Sequence, residues 1–254
     1  MDFRFLKRPN DRYYVREGAD RQKETAAVDY DIVRGKCIGN HITRFSDKDR
    51  INLEAINIHN VCNVTRRNYS KKCVLSTVLL LWAYFDLPID NLSEEMKMFL
   101  LSIDGAYSGY FAYNGKYRPQ IKQYLLDIFE IPELYRCLER HTEQDFKDII
   151  EKYRIAGEDS KHRDYKIHVS MFNQKLYTYM NYPAINKLLE DNGLDFRLKI
   201  PNEPFVFQYE CKDVYERISN KTEISLNNEQ IVSIVLVDYR NCVYSIRKKE
   251  EGIA

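Results

Sequence analysis

The stretch CVLSTVLLLWAYFDLP, residues 73–88, is apolar along nearly its whole length. Its apolar residues fall on almost every side of a helix, a pattern typical of a helix that is buried all round. Ser70 is suited to cap its start, and Pro88 ends it. The apolar run is about a dozen residues, shorter than the ~20 that a bilayer-spanning helix needs. We therefore predict a central buried helix in a soluble chain, with no membrane partner.

Helical patterns continue on both sides of this segment. Before it, apolar residues recur with spacings of 4, 3 and 4, as on one face of a helix. After it, several helix starts are marked by a capping side chain or by proline at a first helical position. These signals together predict a bundle of about six helices over residues 46–157. The predicted starts around the central helix are Ser46, Ser93, Pro119, Pro132 and Thr142.

The pattern changes beyond the polar linker at 158–164. Residues 165–171 alternate between apolar and polar side chains, which favours a strand. We predict one helix, at 184–190, and further strands at 196–200, 205–209, 231–237 and 243–246, the last two forming a hairpin. The predicted fold is mainly α, with a helical bundle domain (46–157) followed by a smaller α+β domain (165–254).

The N-terminal stretch RYYVREGADRQKETAAVDYD, residues 12–31, has few side chains to bury. Apart from Tyr13, Tyr14 and Val15 it is dominated by charged and small residues. We therefore predict that residues 1–45 form an extended N-terminal arm. Such an arm gains order by crossing to a neighbouring copy of the same chain.

The charge of the chain is balanced, with 39 basic and 38 acidic residues. A general nucleic-acid binder usually carries a basic excess, so nucleic acid is not the expected partner. Near-zero net charge favours self-association. A local basic cluster that could grip phosphate leaves a nucleic-acid-binding viral protein open as an alternative, although a solvated helix junction is the favoured interpretation. The cluster comprises Arg66, Arg67, Lys71 and Lys72.

The sequence contains 20 tyrosines. Tyrosine offers apolar area together with a hydroxyl group, and it is enriched at protein interfaces. An AT-rich gene would also raise the tyrosine count without any such role. We predict that copies of the chain contact one another through Tyr13, Tyr14, Tyr30, Tyr107, Tyr110, Tyr113 and Tyr117.

Six cysteines are spread along the chain without a pairing rhythm, and the first residues are too charged for a signal peptide. We expect synthesis in the cytosol with reduced thiols. After release from a reducing cell, Cys37, Cys211 and Cys242 are candidates for disulfides between copies. The spacings Cys37-x3-His41 and His59-x2-Cys62 suit zinc, but a half-buried cysteine beside a surface histidine is the favoured interpretation. No metal or cofactor is predicted.

Two His-x-Thr/Ser triplets are the strongest candidates for chemistry. His41 with Thr43, and His168 with Ser170, resemble the signature of 2H phosphoesterases. In that chemistry one imidazole accepts a proton, the other donates one, and the hydroxyl groups hold the phosphate. About a hundred residues of predicted helix separate the triplets, and no nucleophile elbow or phosphate-binding glycine loop is present. We therefore predict no enzymatic activity, and keep the phosphoesterase as an alternative.

The chain resembles viral occlusion-body matrix proteins of the polyhedrin class, in a divergent, nudivirus-like form. The resemblance lies in the size of about 30 kDa, the tyrosine content, the polar segment from Tyr13 to Tyr30 and the lack of a catalytic signature. The resemblance implies a crystalline lattice around virions, assembled in the nucleus of an infected cell, found outside it as an occlusion body, and dissolved at alkaline pH. It rests on general character, so no site residue is carried over from the family.

Overall fold

The computed structural model describes residues 5–8, 12–20, 24–155, 167–170, 172–218 and 230–247. The chain divides into two compact units. Unit 1 contains residues 1–72, 171–175 and 202–254, and unit 2 contains residues 73–170 and 176–201. Unit 1 therefore joins the two ends of the sequence, a grouping that local sequence patterns do not express.

The described strands are short except for one in the last third of the chain. They are β1 (Phe5–Arg8), β2 (Arg12–Arg16), β3 (Ala27–Val28), β4 (Cys37–Gly39), β5 (Ala55–Asn57), β6 (Ile167–Val169), β7 (Leu176–Thr178), β8 (Phe205–Arg217), β9 (Ile231–Leu236) and β10 (Asn241–Arg247). The α-helices are α1 (Ile58–Val61), α2 (Thr77–Tyr84), α3 (Glu94–Ser102), α4 (Ser108–Phe111), α5 (Arg118–Gln123), α6 (Pro132–Arg140), α7 (Glu143–Tyr153) and α8 (Tyr182–Asp191). Three 3₁₀ segments (Arg66–Lys71, Ile103–Gly105, Ala112–Gly115) and one π-helical turn (Tyr124–Ile128) lie between them.

Unit 1 is organised by an antiparallel sheet of five strands in the order β1-β2-β8-β10-β9. The β9–β10 hairpin confirms the sequence prediction. The N-terminal strand β2 pairs with β8, placing Tyr14 opposite Phe207 and Val15 opposite Val206. Tyr14 and Val15 are 6% and 1% exposed, so the N-terminal segment supplies core residues to its own unit.

The prediction of a mainly α fold with an extended N-terminal arm is therefore wrong. The structure is an α+β mix, 39% helical and 19% strand. The error has a physical cause, because the strand partner of residues 12–16 lies in β8, about 190 residues further along the chain. Local periodicity cannot report pairing across such a distance, and a short charged strand does not stand out from a loop.

A second, three-stranded sheet in unit 1 is parallel and has the order β3-β4-β5. A buried apolar cluster in unit 1 is formed by residues that lie far apart in the sequence: Ile42, Val64, Ile218, Leu236 and Cys242. The backbone of the loop after β4 is tied to the large sheet, since the amide of Leu236 donates to the carbonyl of Ile42.

Unit 2 contains the helices α2 to α8 and the β6–β7 hairpin. The apolar run does form helix α2, but its N-cap is Ser76, whose side chain accepts from the amide of Leu79. The predicted cap, Ser70, lies in the preceding 3₁₀ segment. The segment 46–72 also departs from the predicted bundle, because it holds only β5, the single turn α1 and that 3₁₀ segment.

Two helix starts predicted from capping side chains, at Ser93 and Thr142, are confirmed. Ser93 caps α3, and Thr142 caps α7 through a capping box with Asp145. Phe146, fully buried in α7, stacks on Tyr107 with 5.0 Å between ring centroids. The helix predicted at 184–190 is α8. Residues 196–200 form no strand. Among the described residues, no helix has the length and apolar character needed to cross a bilayer.

Candidate functional site

A cluster of hydrogen-bonded polar side chains in unit 1 surrounds the carboxylate of Asp31, which is 2% exposed. Its Oδ1 accepts from Asn57 Nδ2 at 2.7 Å, and its Oδ2 lies 2.8 Å from His41 Nδ1. Asn57 also donates to the carbonyl of His41 at 2.9 Å. A Cβ on Gly39 would lie 2.3 Å from Asp31 Oδ2, so the carboxylate can sit there only because position 39 is glycine.

This geometry determines the protonation of His41. Burial acts to lower the pKa of its imidazole, but the hydrogen bond and the negative charge of Asp31 outweigh burial and raise the pKa above its usual value. The side chain is 33% exposed, while Asp31 is buried behind it. Because Nδ1 is held on the carboxylate, Nε2 is the nitrogen turned away from it. Such an imidazole is able to exchange a proton or to bind an anion.

A second histidine in the cluster has the opposite character. His59 is fully buried in helix α1. Burial, followed by the positive charge of Lys72, lowers the pKa of His59 to about 3. It hydrogen-bonds to the backbone of His41. His59 is therefore a neutral imidazole near neutral pH that supports the loop carrying His41. The expectation of a surface histidine at this position is wrong, because the side chain is fully buried.

A small pocket lies beside the Asp31 carboxylate. It has about 30 Å³ of space for water-sized groups, enough for roughly two ordered waters. Its lining, in the described part of unit 1, includes Asp31, Cys37, Thr43 and Asn60, but His41 is not part of it. The pocket is too small for an organic substrate, and it does not bring Thr43 and the His41 imidazole to one cleft.

The other triplet of the phosphoesterase alternative lies in unit 2. His168 is in the short strand β6, where it is paired with Tyr177, and Ser170 follows the strand. The side chain of His168 lies outside the described residues. The alternative with His41 and His168 therefore stays a prediction.

The basic cluster at 66–72 is partly engaged within the chain. Arg66 Nε donates to the carbonyl of Tyr239 at 2.7 Å. Arg67 pairs with Asp47 at 3.6 Å on the surface. Lys72 lies over the ring of Tyr69, 5.9 Å from its centroid. These contacts tie the 3₁₀ segment to its own unit and favour the helix-junction interpretation over a phosphate grip.

The tyrosines predicted to mediate assembly lie in different environments. Tyr14, Tyr107 and Tyr110 are buried, and Tyr30 is half-buried, so these rings pack inside their own units. The side chain of Tyr13 lies outside the described residues. Tyr113 is 78% exposed and contacts the half-buried Tyr117, with 5.9 Å between ring centroids. Among the described side chains of the seven, Tyr113 is the one whose ring is mostly exposed.

Two further groups of exposed apolar side chains were not predicted from the sequence. The first, which we call the 84–87 surface, consists of Tyr84, Phe85 and Leu87 at the end of α2; they are 57%, 59% and 37% exposed. The rings of Tyr84 and Phe85 meet edge to face with centroids 5.1 Å apart. The second is the pair Tyr177 and Tyr179, whose ring centroids are 5.9 Å apart. In the sequence, Phe85 belongs to a helix that is apolar on nearly all sides. That pattern predicts burial, so the exposure of Phe85 could not be predicted from it.

None of the six cysteines, all of which lie in the described part of the chain, forms a disulfide. Cys37, Cys211 and Cys242, the candidates for disulfides between copies, are each at most 1% exposed. A disulfide through any of them would require local opening of unit 1. Burial also raises the pKa of the Cys242 thiol to about 11, which disfavours the reactive thiolate.

Comparison of the chain with protein-family models, with curated proteins and with solved structures finds no match. Function is therefore inferred from the residues described above.

Proposed function

We propose that this chain is a self-associating structural protein whose copies contact one another through exposed aromatic side chains. The observation that carries the proposal is the 84–87 surface, in which two neighbouring rings and a leucine stand on the surface at the end of the most apolar helix. Contiguous exposed apolar side chains mark interaction surfaces more often than scattered ones do.

Burial of the 84–87 surface would contribute substantially to the free energy of association. An aromatic side chain presents roughly 200 Å², and Phe85 is 59% exposed. About 120 Å² is then left to bury, which at ~25 cal/mol per Å² corresponds to roughly 3 kcal/mol. Tyr84 is similarly exposed. Two such rings at the centre of a contact have the size of an interface hot spot.

The charge of the chain favours a second copy as the occupant of this surface. With 39 basic and 38 acidic residues, the formal net charge is +1 at pH 7. Copies therefore meet without net repulsion. The N-terminal segment takes no part in the proposed contact, because β2 is already paired within its own unit.

The finer form of the proposal is a crystalline occlusion-body matrix around virions, resembling the polyhedrin class. It would be made in the cytosol, assembled in the nucleus of an infected cell and found outside the cell as the finished body. No catalysis and no cofactor are ascribed to it. The support is the balanced charge and the abundance of tyrosine, whose phenol ionises near pH 10, so that strong alkali would give copies a shared negative charge.

Sedimentation velocity over a range of protein concentrations tests the self-association. We expect the full chain to associate, and the double variant Tyr84→Ser/Phe85→Ser to need at least a hundredfold higher concentration. Leu53→Ser is the matched control, because Leu53 is 93% exposed and its loss should leave association unchanged. A monomeric wild type at high concentration, or equal association of wild type and double variant, contradicts the proposal. Circular dichroism verifies that each variant is folded.

A second candidate function is acid–base chemistry on a phosphoester, and it is favoured by the bond between His41 Nδ1 and Asp31 Oδ2. A buried carboxylate that orients an imidazole is a common arrangement for a general base. Hydrolysis of a generic phosphodiester by the wild type, lost in His41→Asn and retained in a Tyr84→Ser control, would support this function. Equal background rates for all three proteins would remove it.

A further inference from the structure

In unit 2, three side chains of different ligand type lie together where the start of α3 meets the end of α6. Glu94 is the first residue of α3, Cys137 lies in the last turn of α6, and His141 is the residue that ends α6. One ligand atom from each lies within 4.8 Å of both others. Cys137 is fully buried, while Glu94 and His141 are partly exposed, so the cluster opens to the surface on one side.

We propose that Glu94, Cys137 and His141 bind a zinc ion, with a water molecule at the fourth position. Zinc prefers four ligands drawn from thiolate, imidazole and carboxylate groups. Cys137 and His141 are four residues apart on one helix face, and the packing of α3 against α6 adds the carboxylate. The ion would therefore link the start of one helix to the end of another.

The distances are close to those of a zinc site. Zinc bonds of about 2.0–2.3 Å separate tetrahedral ligand atoms by roughly 3.3–3.8 Å. His141 Nε2 and Glu94 Oε1 are already 3.1 Å apart. The largest of the three separations is at most 4.8 Å, so binding would require a movement of about 1 Å. The partly exposed Glu94 and His141 side chains can supply it.

The surroundings of His141 match those of a metal-binding histidine. If Nε2 binds the ion, the other ring nitrogen, Nδ1, lies 3.7 Å from Asp145 Oδ2. Metal-binding histidines usually direct their second nitrogen to a carboxylate, which orients the ring. Asp145 is itself held by the capping box with Thr142. On the other side, the edge of the His141 ring faces Phe146 at 6.3 Å.

The main competitor for the carboxylate is Arg140. Its Nε and Nη2 donate to Glu94 Oε1 and Oε2, both at 2.9 Å. Binding of the ion would replace one of these contacts and the His141–Glu94 bond. It would also release one proton, because the Cys137 thiol must become a thiolate when the sulfur–zinc bond forms. No oxidant or further reactant is needed.

Titration of the full chain with Co²⁺ under reducing conditions, followed by Zn²⁺ competition against a chromophoric chelator, tests the proposal. We expect one equivalent to bind, with a sulfur-to-cobalt charge-transfer band. The affinity should fall at least tenfold in Cys137→Ser and in His141→Gln, whereas the control Cys73→Ser, another buried cysteine of unit 2, should bind as the wild type does. His141→Gln keeps the test valid if the loss of buried Cys137 impairs folding.

The variant Arg140→Met distinguishes between two interpretations of the cluster, a metal site and an ion-pair network. If Glu94 is a metal ligand, removal of the competing guanidinium should raise the Zn²⁺ affinity severalfold. If the cluster is only an ion-pair network, no protein in the series will show saturable binding with one equivalent. Absence of such binding, or binding that is equal in wild type, Cys137→Ser and His141→Gln, overturns the proposal. The oligomeric state has no part in this readout, so failure here leaves the proposed self-association intact.

Discussion

Substitution of Asp31 should have a large effect on stability for a single polar residue. The carboxylate is 2% exposed and binds Asn57 and His41 at 2.7 and 2.8 Å. Asp31→Ala removes both bonds and leaves one N–H of the buried Asn57 amide without an acceptor, while the other still donates to the carbonyl of His41. Since a hydrogen bond to a charged group contributes about 1.5–3 kcal/mol and breaking a buried pair costs about 3–5 kcal/mol, we expect the free energy of unfolding to fall by about 3–5 kcal/mol.

Asp31→Asn removes the negative charge of the side chain but keeps its shape, so it separates the contributions of the two. The amide keeps the volume and can still accept from Asn57, so the expected loss is smaller, about 1–3 kcal/mol. Its amide group would face the Nδ1 of His41 without a negative charge. The pKa of His41 should therefore fall in this variant, because the interaction that raises it in the wild type is gone.

The effect also has a defined pH dependence. The folded state favours protonated His41, because its pKa is raised there. The stabilisation is therefore fully present below the unfolded pKa of about 6.5 and is lost as the pH rises through the higher folded value. The difference in stability between wild type and Asp31→Asn should be larger at about pH 6 than at pH 8.

Urea denaturation at both pH values, together with an NMR titration of the imidazole protons, measures these quantities. The control is Asp47→Asn, because Asp47 forms only an exposed pair with Arg67 at 3.6 Å, and a loss below about 1 kcal/mol is expected there. A loss below about 1 kcal/mol for Asp31→Ala, or a His41 pKa that is the same in Asp31→Asn and wild type, would refute the reasoning.

Four further outcomes are expected. Burial lowers the pKa of His59 to about 3, so its NMR resonances should not titrate between pH 8 and 5, and its stabilising contribution should be lost as the pH falls from about 6.5 towards 3. Burial, aided by a nearby carboxylate, raises the pKa of Tyr69 to about 12. The stability linked to this phenol should therefore be lost as the pH rises from about 10 through 12. In urea denaturation, Tyr69→Phe should lose less stability than the wild type does over this alkaline range. Phe146→Ala should cost about 3–5 kcal/mol in urea denaturation, because the ring is fully buried. Thr142→Ala should lower the melting temperature through the loss of the α7 cap, which contributes about 1 kcal/mol.

The helices of unit 2 were predictable where the chain carries its own local signals. Ser93 and Thr142 accept from amides three residues ahead, and Pro132 stands at a first helical position. These interactions lie within one turn, so they are visible in a short window of sequence. The start of α2 was misplaced because Ser70 and Ser76 both precede the same apolar run, and only the folded backbone distinguishes them.

The candidate sites depend on contacts between distant positions. Asp31 meets His41 and Asn57 across 10 and 26 residues, with no motif joining them. In the zinc cluster, the spacing of Cys137 and His141 is visible in the sequence, but Glu94 joins them only through the packing of α3 against α6. The exposure of Phe85 also depends on where α2 ends relative to its neighbours, which hydrophobicity does not encode.

Local chemistry thus determined which segments of unit 2 form helices and that β9 and β10 form a hairpin, because caps and short turns act over a few residues. The tertiary structure alone decided that the charged N-terminal segment joins a sheet with C-terminal strands, since β2 lies between β1 and β8. It likewise decided which polar side chains share a site. Pairing of this kind is stabilised by surfaces that exist only after the chain has folded, and no local pattern reports it.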